Sequence, residues 1–156
     1  MVSADYQTRL QALRLEIQAA EGAPFSIEQE LTALLDEGGP DLPEDLLLSL
    51  SDGAHSGAMY ALIHAAESLD ESPYRLYISA VLSILPRLSE TAPNWALGVL
   101  RRIMNADASL CELIRQLRGA PTPIKETVRS ICKLNDAISP DYMPETVKTQ
   151  VARAAS

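Results

Sequence analysis

Apolar residues along this chain recur three and four positions apart far more often than they alternate, and that spacing predicts helices. Leu10, Leu13, Ile17 and Ala20 form one stripe across residues 3–20, which Gly22 and Pro24 stop. Ser26 and Gln29 then fit a capping box. The helix they open carries Ile27, Leu31, Leu34 and Leu35 and ends at Gly38-Gly39. Residues 38–53 hold a short helix at most, with Pro43 in its first turn and Glu44 and Asp45 facing its positive end. From His55 to Ser68 the buried face is expected to be Met59, Leu62, Ile63 and Ala66.

The second half repeats a start signal. Ser72 is expected to cap, and Pro73 to open, a helix presenting Tyr74, Tyr77, Ile78, Val81, Leu82, Leu85 and Leu88, which Pro86 kinks or ends. Pro93, Asp107 and Thr122-Pro123 start three more, with Asn105 and Gly119 at helix ends. Pro140 and Pro144 interrupt the C-terminal region, whose last twelve residues form one weak helix. The pattern therefore predicts an all-α fold of seven or eight short helices in stacked antiparallel pairs, either a HEAT-like α-solenoid or a compact helical bundle. At 156 residues the chain suits one all-helical domain, with residues 141–156 loosely attached.

Composition agrees. One Trp, one Phe and five Tyr leave the core to aliphatic side chains, which favour helices over strands. Cys111 and Cys132 both fall on apolar faces and are expected as buried thiols. The N-terminus lacks the basic-then-apolar order of a signal peptide, and no apolar run is long enough to span a membrane, so the expected location is cytoplasmic.

Charge is unevenly distributed along the chain. Residues 1–74 hold fourteen acidic and two basic residues, Arg9 and Arg14, whereas residues 75–156 hold seven acidic and eleven basic ones. The net charge of −8 argues against binding nucleic acid or anionic membrane. A one-sign field steers association with an oppositely charged partner. Glu37, Asp41, Glu44, Asp45, Asp52, Glu67, Asp70 and Glu71 lie in a stretch with no interspersed cation and are the candidate partner-binding residues. Against them stands the plainer reading of a solubilising surface. Arg101, Arg102, Arg115, Arg118, Lys125, Arg129 and Lys133 suggest a basic groove or, more simply, a solvated helix face, with no aromatic residues interleaved for base stacking.

Catalytic chemistry has little support. The chain lacks a glycine-rich phosphate loop, an H-E-x-x-H and a C-x-x-C. His64 and Glu67 share a helix face, but a metal site needs three or four ligands and His55 lies on the opposite side. Neither cysteine has an adjacent histidine to activate it. No catalytic residue, metal, cofactor or small-molecule substrate is expected.

The stretch 57–105 carries a recognisable order of parts. Tyr60 and His64-x-x-Glu67 share one helix, Tyr74 or Tyr77 opens the next, and Leu85-Pro86, Pro93-x-Trp95-Ala96 and Arg102-Ile103-x-Asn105 follow. This order resembles a family of small all-helical bacterial immunity proteins from polymorphic-toxin and contact-dependent inhibition systems, family thirty of the immunity proteins. The resemblance covers about a third of the chain, and residues 1–50 carry little of it. It implies a non-enzymatic inhibitor that binds one cognate toxin domain, often a nuclease and thus basic, and occludes it stoichiometrically. Tyr60, His64, Glu67, Trp95, Arg102 and Asn105 fit the family pattern as scaffold residues. Two other readings compete: a helical adaptor that binds a peptide or protein subunit in a concave groove, and an enzyme whose pocket collects His64 and Glu67.

Overall fold

In a computed structural model, residues 4–19 and 24–156 are described. Among them nine helices form and no strand: α1 (Ala4–Gln18), α2 (Pro24–Glu37), α3 (Leu42–Leu47), α4 (Ser56–Ser68), α5 (Arg75–Thr91), α6 (Pro93–Met104), α7 (Asp107–Arg118), α8 (Thr122–Ile138) and α9 (Glu145–Ala154). The expected all-α class holds. The two segments with the weakest pattern, α3 and α9, both form, so the helices outnumber the seven or eight anticipated. The chain folds as two compact units, Met1–Leu69 and Asp70–Ser156.

In the first unit α1 packs on α2, α2 on α4, and α3 on α4. The stripe on α1 is buried as its spacing predicts, at Leu10, Leu13 and Ile17, and is extended one turn back by Tyr6. Ala20 lies outside the described residues, as does Gly22. Ile27, Leu31 and Leu34 bury the matching face of α2. Ser26 is not at the cap position of this helix, because α2 already begins at Pro24, a residue suited to a first turn. Gly38 closes α2 with φ of 67° and donates its N–H to the Leu34 carbonyl at 3.0 Å, a left-handed stop that favours glycine. α3 buries Leu42, Leu46 and Leu47 although it is six residues long. At the start of α4 the His55 ring caps the helix, its Nδ1 accepting the Gly57 N–H at 3.1 Å.

The second unit is organised around α5, which packs on α6, α7 and α8. Tyr77, Ile78, Ala80, Val81, Leu82, Ile84, Leu85 and Leu88 are all buried, more than one face of a helix. Pro86 does not end this helix, because α5 runs on to Thr91. α6 packs on α7 and α8, and α7 on α9. Met143, Val151, Ala154 and Ala155 bury apolar surface in the last stretch of chain.

Three caps differ from expectation. α5 begins at Arg75, two residues after Pro73, with Tyr74 in the left-handed region at φ of 64°. Asp70 meets one of its orphan donors: its carboxylate accepts the N–H of Tyr77 at 3.0 Å and, in the turn before the helix, that of Ser72 at 3.1 Å. That leaves Ser72 in the turn as a donor and not as the cap. Asp107 and Thr122 each lie one residue inside the helix that their side chains are suited to cap, where Asp107 still faces the positive end.

On α7 the Glu112 carboxylate accepts from Arg115 Nε at 2.9 Å and Nη2 at 2.5 Å, and from Gln116 Nε2 at 2.6 Å. Gln116 Nε2 also reaches the Arg75 carbonyl at 2.8 Å, tying α7 to the first residue of α5. The Arg115 hydrogen bonds hold the Glu112 carboxyl down at about 2, against an ordinary 4.5. A depressed carboxylate contributes stability that is fully present above its unfolded value and is lost as pH falls towards the folded one. Glu112→Gln should therefore lie below the parent in urea stability at about pH 6, and the gap should close as the pH approaches about 2. A gap independent of pH would show that the ion pair contributes nothing.

Candidate functional site

The acidic residues of the first unit come from its helices and the loops that join them. Within this unit the sequence supplies twelve acidic residues and two basic ones, a net charge of −10. Both cations sit on α1 and both are engaged. Arg9 Nε lies 3.7 Å from Glu37 at the end of α2, and Arg14 Nη2 lies 3.8 Å from Asp45 on α3. Arg14 Nε also donates to Ser49 Oγ at 3.2 Å, whose hydroxyl donates back to the Asp45 carbonyl at 2.8 Å. The Tyr6 hydroxyl completes the knot by donating to Asp45 Oδ2 at 2.8 Å. Burial, then the Asp45 carboxylate that holds its proton, push the Tyr6 phenol well above its ordinary value.

This geometry sorts the candidate residues. Asp45 is half-buried and holds α1 to α3. Glu37 pairs with Arg9, and Glu67 with His64 Nδ1 at 3.4 Å along one face of α4. Asp41 and Asp52 are exposed, as are Glu28 and Asp36 on α2, and Glu44 is half-buried. Asp70 and Glu71 belong to the second unit, where Asp70 caps α5 and Glu71 is exposed.

The scaffold residues are similarly divided. Tyr60 and His64 stand exposed on α4, at 49% for Tyr60. Trp95 is half-buried in the first turn of α6, and Arg102 is exposed near the end of that helix. Asn105 is its C-cap, its N–H donating to the Arg102 carbonyl at 3.3 Å.

Sequence spacing missed a polar cluster in the second unit. Arg101 Nε donates to Asn135 Oδ1 at 2.7 Å, Asn135 is buried, and the guanidinium stacks over the Tyr142 ring at 4.4 Å. An Asn in the buried stripe of α8 was the available signal, since it must find a partner. Four of the basic residues have partners within the chain. Arg101 and Arg115 are held by Asn135 and Glu112, while Lys125 and Arg129 donate to the carbonyls of Ser156 and Ala155.

The cysteines are less buried than their spacing predicts. Cys111 is exposed and Cys132 half-buried, both as free thiols. Burial and the nearby Asp136 push the Cys132 thiol up to about 11, which leaves it protonated and unreactive at neutral pH. Among the described residues no group of three or more His, Cys, Asp or Glu is placed to hold a metal ion. Nor is any described helix long and apolar enough to cross a membrane.

Removing the Tyr6 hydroxyl isolates the α1–α3 knot. Tyr6→Phe should destabilise the protein by about 1 kcal/mol in urea unfolding, the worth of one partly buried hydrogen bond. An unchanged midpoint would mean that Arg14 alone holds Asp45.

Comparison with known proteins places this geometry in a family context. The model of the immunity protein 30 family matches residues 18–113. The match begins well upstream of Gly57 and takes in α2 and α3. No curated protein and no solved structure matches the chain.

Proposed function

The chain belongs to the immunity protein 30 family, whose general role is to bind and neutralise a cognate toxin, and we propose that it does so through the acidic surface of its first unit. The observation that carries this reading is the engagement of Arg9 and Arg14 by Glu37 and Asp45. No other cation exists between Gln18 and Tyr74, the stretch in which Glu28, Asp36 and Asp41 are exposed. A surface of one sign attracts a basic partner from a distance and rejects acidic ones.

The partner is a basic toxin domain, a nuclease in the simplest case, because a protein that binds phosphates carries the cations these carboxylates would meet. Glu37, Asp41, Glu44, Asp52 and Glu67 contribute to the field of the first unit, and Glu71 adds to the acidic set from the second. Asp45 and Asp70 act indirectly, one by holding α1 and the other by capping α5. Inhibition is stoichiometric: the immunity protein covers the toxin in the cytoplasm and performs no chemistry on it. Its exposed acids set the association rate, and a smaller number of apolar contacts set the lifetime of the complex.

Co-expression with the toxin domain encoded beside this chain should give a one-to-one complex and protect the cell from that domain. The association rate should fall about ten-fold or more as salt rises from well below to well above 0.1 M, where the screening length is about 10 Å. Asp36→Lys with Asp41→Lys should slow association at low salt and leave dissociation nearly unchanged. An association rate indifferent to both salt and these reversals would sink the steering mechanism.

A further inference from the structure

The exposed face of α4 carries an aromatic ring and a carboxylate that its buried stripe does not use. Met59, Leu62, Ile63 and Ala66 are buried, in a helix that packs on α2 and α3. Tyr60 is 49% exposed, and among the described residues of the first unit only Leu15 is another large apolar side chain so placed. His64 is exposed, and its Nδ1 lies 3.4 Å from a carboxylate oxygen of Glu67. At about 100° per residue, Tyr60, His64 and Glu67 fall within an arc of about 60° on the helix surface.

Charge decides what fits this face. α4 holds no Lys or Arg, and Glu67 is its one acid. Arg9 and Arg14 of α1 are engaged by Glu37 and Asp45. The unit has a net charge of −10, so an acidic segment is repelled and a basic one drawn in. In contact, a tyrosine ring then does what exposed carboxylates do poorly. Its negative face attracts a Lys or Arg held within about 6 Å of its centre, and its apolar body gains from leaving water. It sheds no tightly bound hydration shell, as a carboxylate must. Glu67 adds an acceptor, because a carboxylate has about four lone-pair sites and one histidine does not exhaust them. The rise of an α-helix puts Tyr60 and Glu67 about 10 Å apart along its axis. Two cations three residues apart on an extended segment, or seven apart on a helix, match that spacing of about 10 Å.

We propose that this face of α4 is where the cognate toxin domain is held: a Lys or Arg of the toxin stacks on the Tyr60 ring, and a second cation about 10 Å along pairs with Glu67. The inference rests on the reading of the chain as a binder of a basic toxin and names the contact that its cations make.

The test uses the purified full chain and the toxin domain encoded beside it, with affinity measured at several salt concentrations. Tyr60→Leu keeps an apolar side chain at an exposed position and removes the ring, and it should weaken binding about ten-fold. Tyr60→Phe keeps the ring and should bind within about two-fold of the parent. Glu67→Gln keeps the shape and removes the charge. It should weaken binding about three-fold or more and flatten the salt dependence. Circular dichroism checks that each variant is folded. Parent-like affinity in either Tyr60→Leu or Glu67→Gln overturns the proposal. So does a Tyr60→Phe protein as weak as Tyr60→Leu, which would assign the contact to the hydroxyl. In each of these cases intact wild-type binding that Asp36→Lys with Asp41→Lys still slows leaves the acidic-surface reading standing. Failure of the wild-type chain to bind the domain overturns that reading and this inference with it.

Discussion

The half-buried carboxylate of Asp45 is the point on which the first unit turns. Twelve acidic side chains share two guanidinium groups there, so each cation has to be placed where it offsets the most repulsion. α1 does this by carrying both. Arg14 and Tyr6 approach Asp45 from α1 while the buried stripe of the same helix seats it on α2. The Arg9–Glu37 pair is more exposed and contributes little by itself. The Asp45 knot is partly shielded from salt, and its hydrogen bonds have direction. It therefore fixes α1 against α3, which the apolar stripe alone would not.

The second unit solves a different problem. Its sequence is close to balanced in charge, so packing and not repulsion sets its form. α5 is buried over much of its circumference, and α6, α7 and α8 each take part of it. A helix in that position tolerates Pro86 because the missing N–H frees one carbonyl at i−4 while the surrounding helices hold the axis in place. The start of α5 is secured twice, by Asp70, which accepts the Tyr77 N–H, and through the Arg75 carbonyl that Gln116 contacts.

Periodicity makes most of this fold legible. The stripes on α1, α2, α4 and α5 are buried where the spacing of Leu, Ile, Val and Met places them, because a helix face three or four residues wide has one way to leave water. Helix starts are less legible. Ser72 and Thr122 have the side chains of caps, but a proline fixes only its own φ, and a longer-range acceptor such as Asp70 can take over the role. Cys111 shows the limit of a pattern read without its neighbours: it stands on α7 beside buried residues and yet is exposed. Of the candidate site, the charge imbalance is visible in the residues themselves. The partners that divide structural carboxylates from exposed ones are not, since Tyr6 and Asp45 are thirty-nine residues apart. The family likeness is legible in residues 57–105, whereas the match reaches back to residue 18. Helices α2 and α3 offer few distinctive residues, mostly leucines and acids, and so carry little that a single sequence can display.

The two units divide by charge close to where they divide in structure. The shift from acidic to basic composition falls at Tyr74–Arg75, and the boundary between compact units at Leu69–Asp70. Dense carboxylates of one sign attract a basic partner, but each must give up its hydration to enter a tight contact, which costs more than the ion pair returns unless geometry is favourable. In the first unit Arg9 and Arg14 are already engaged by Glu37 and Asp45, and its net charge of −10 would therefore act on a basic partner at a distance more than in contact.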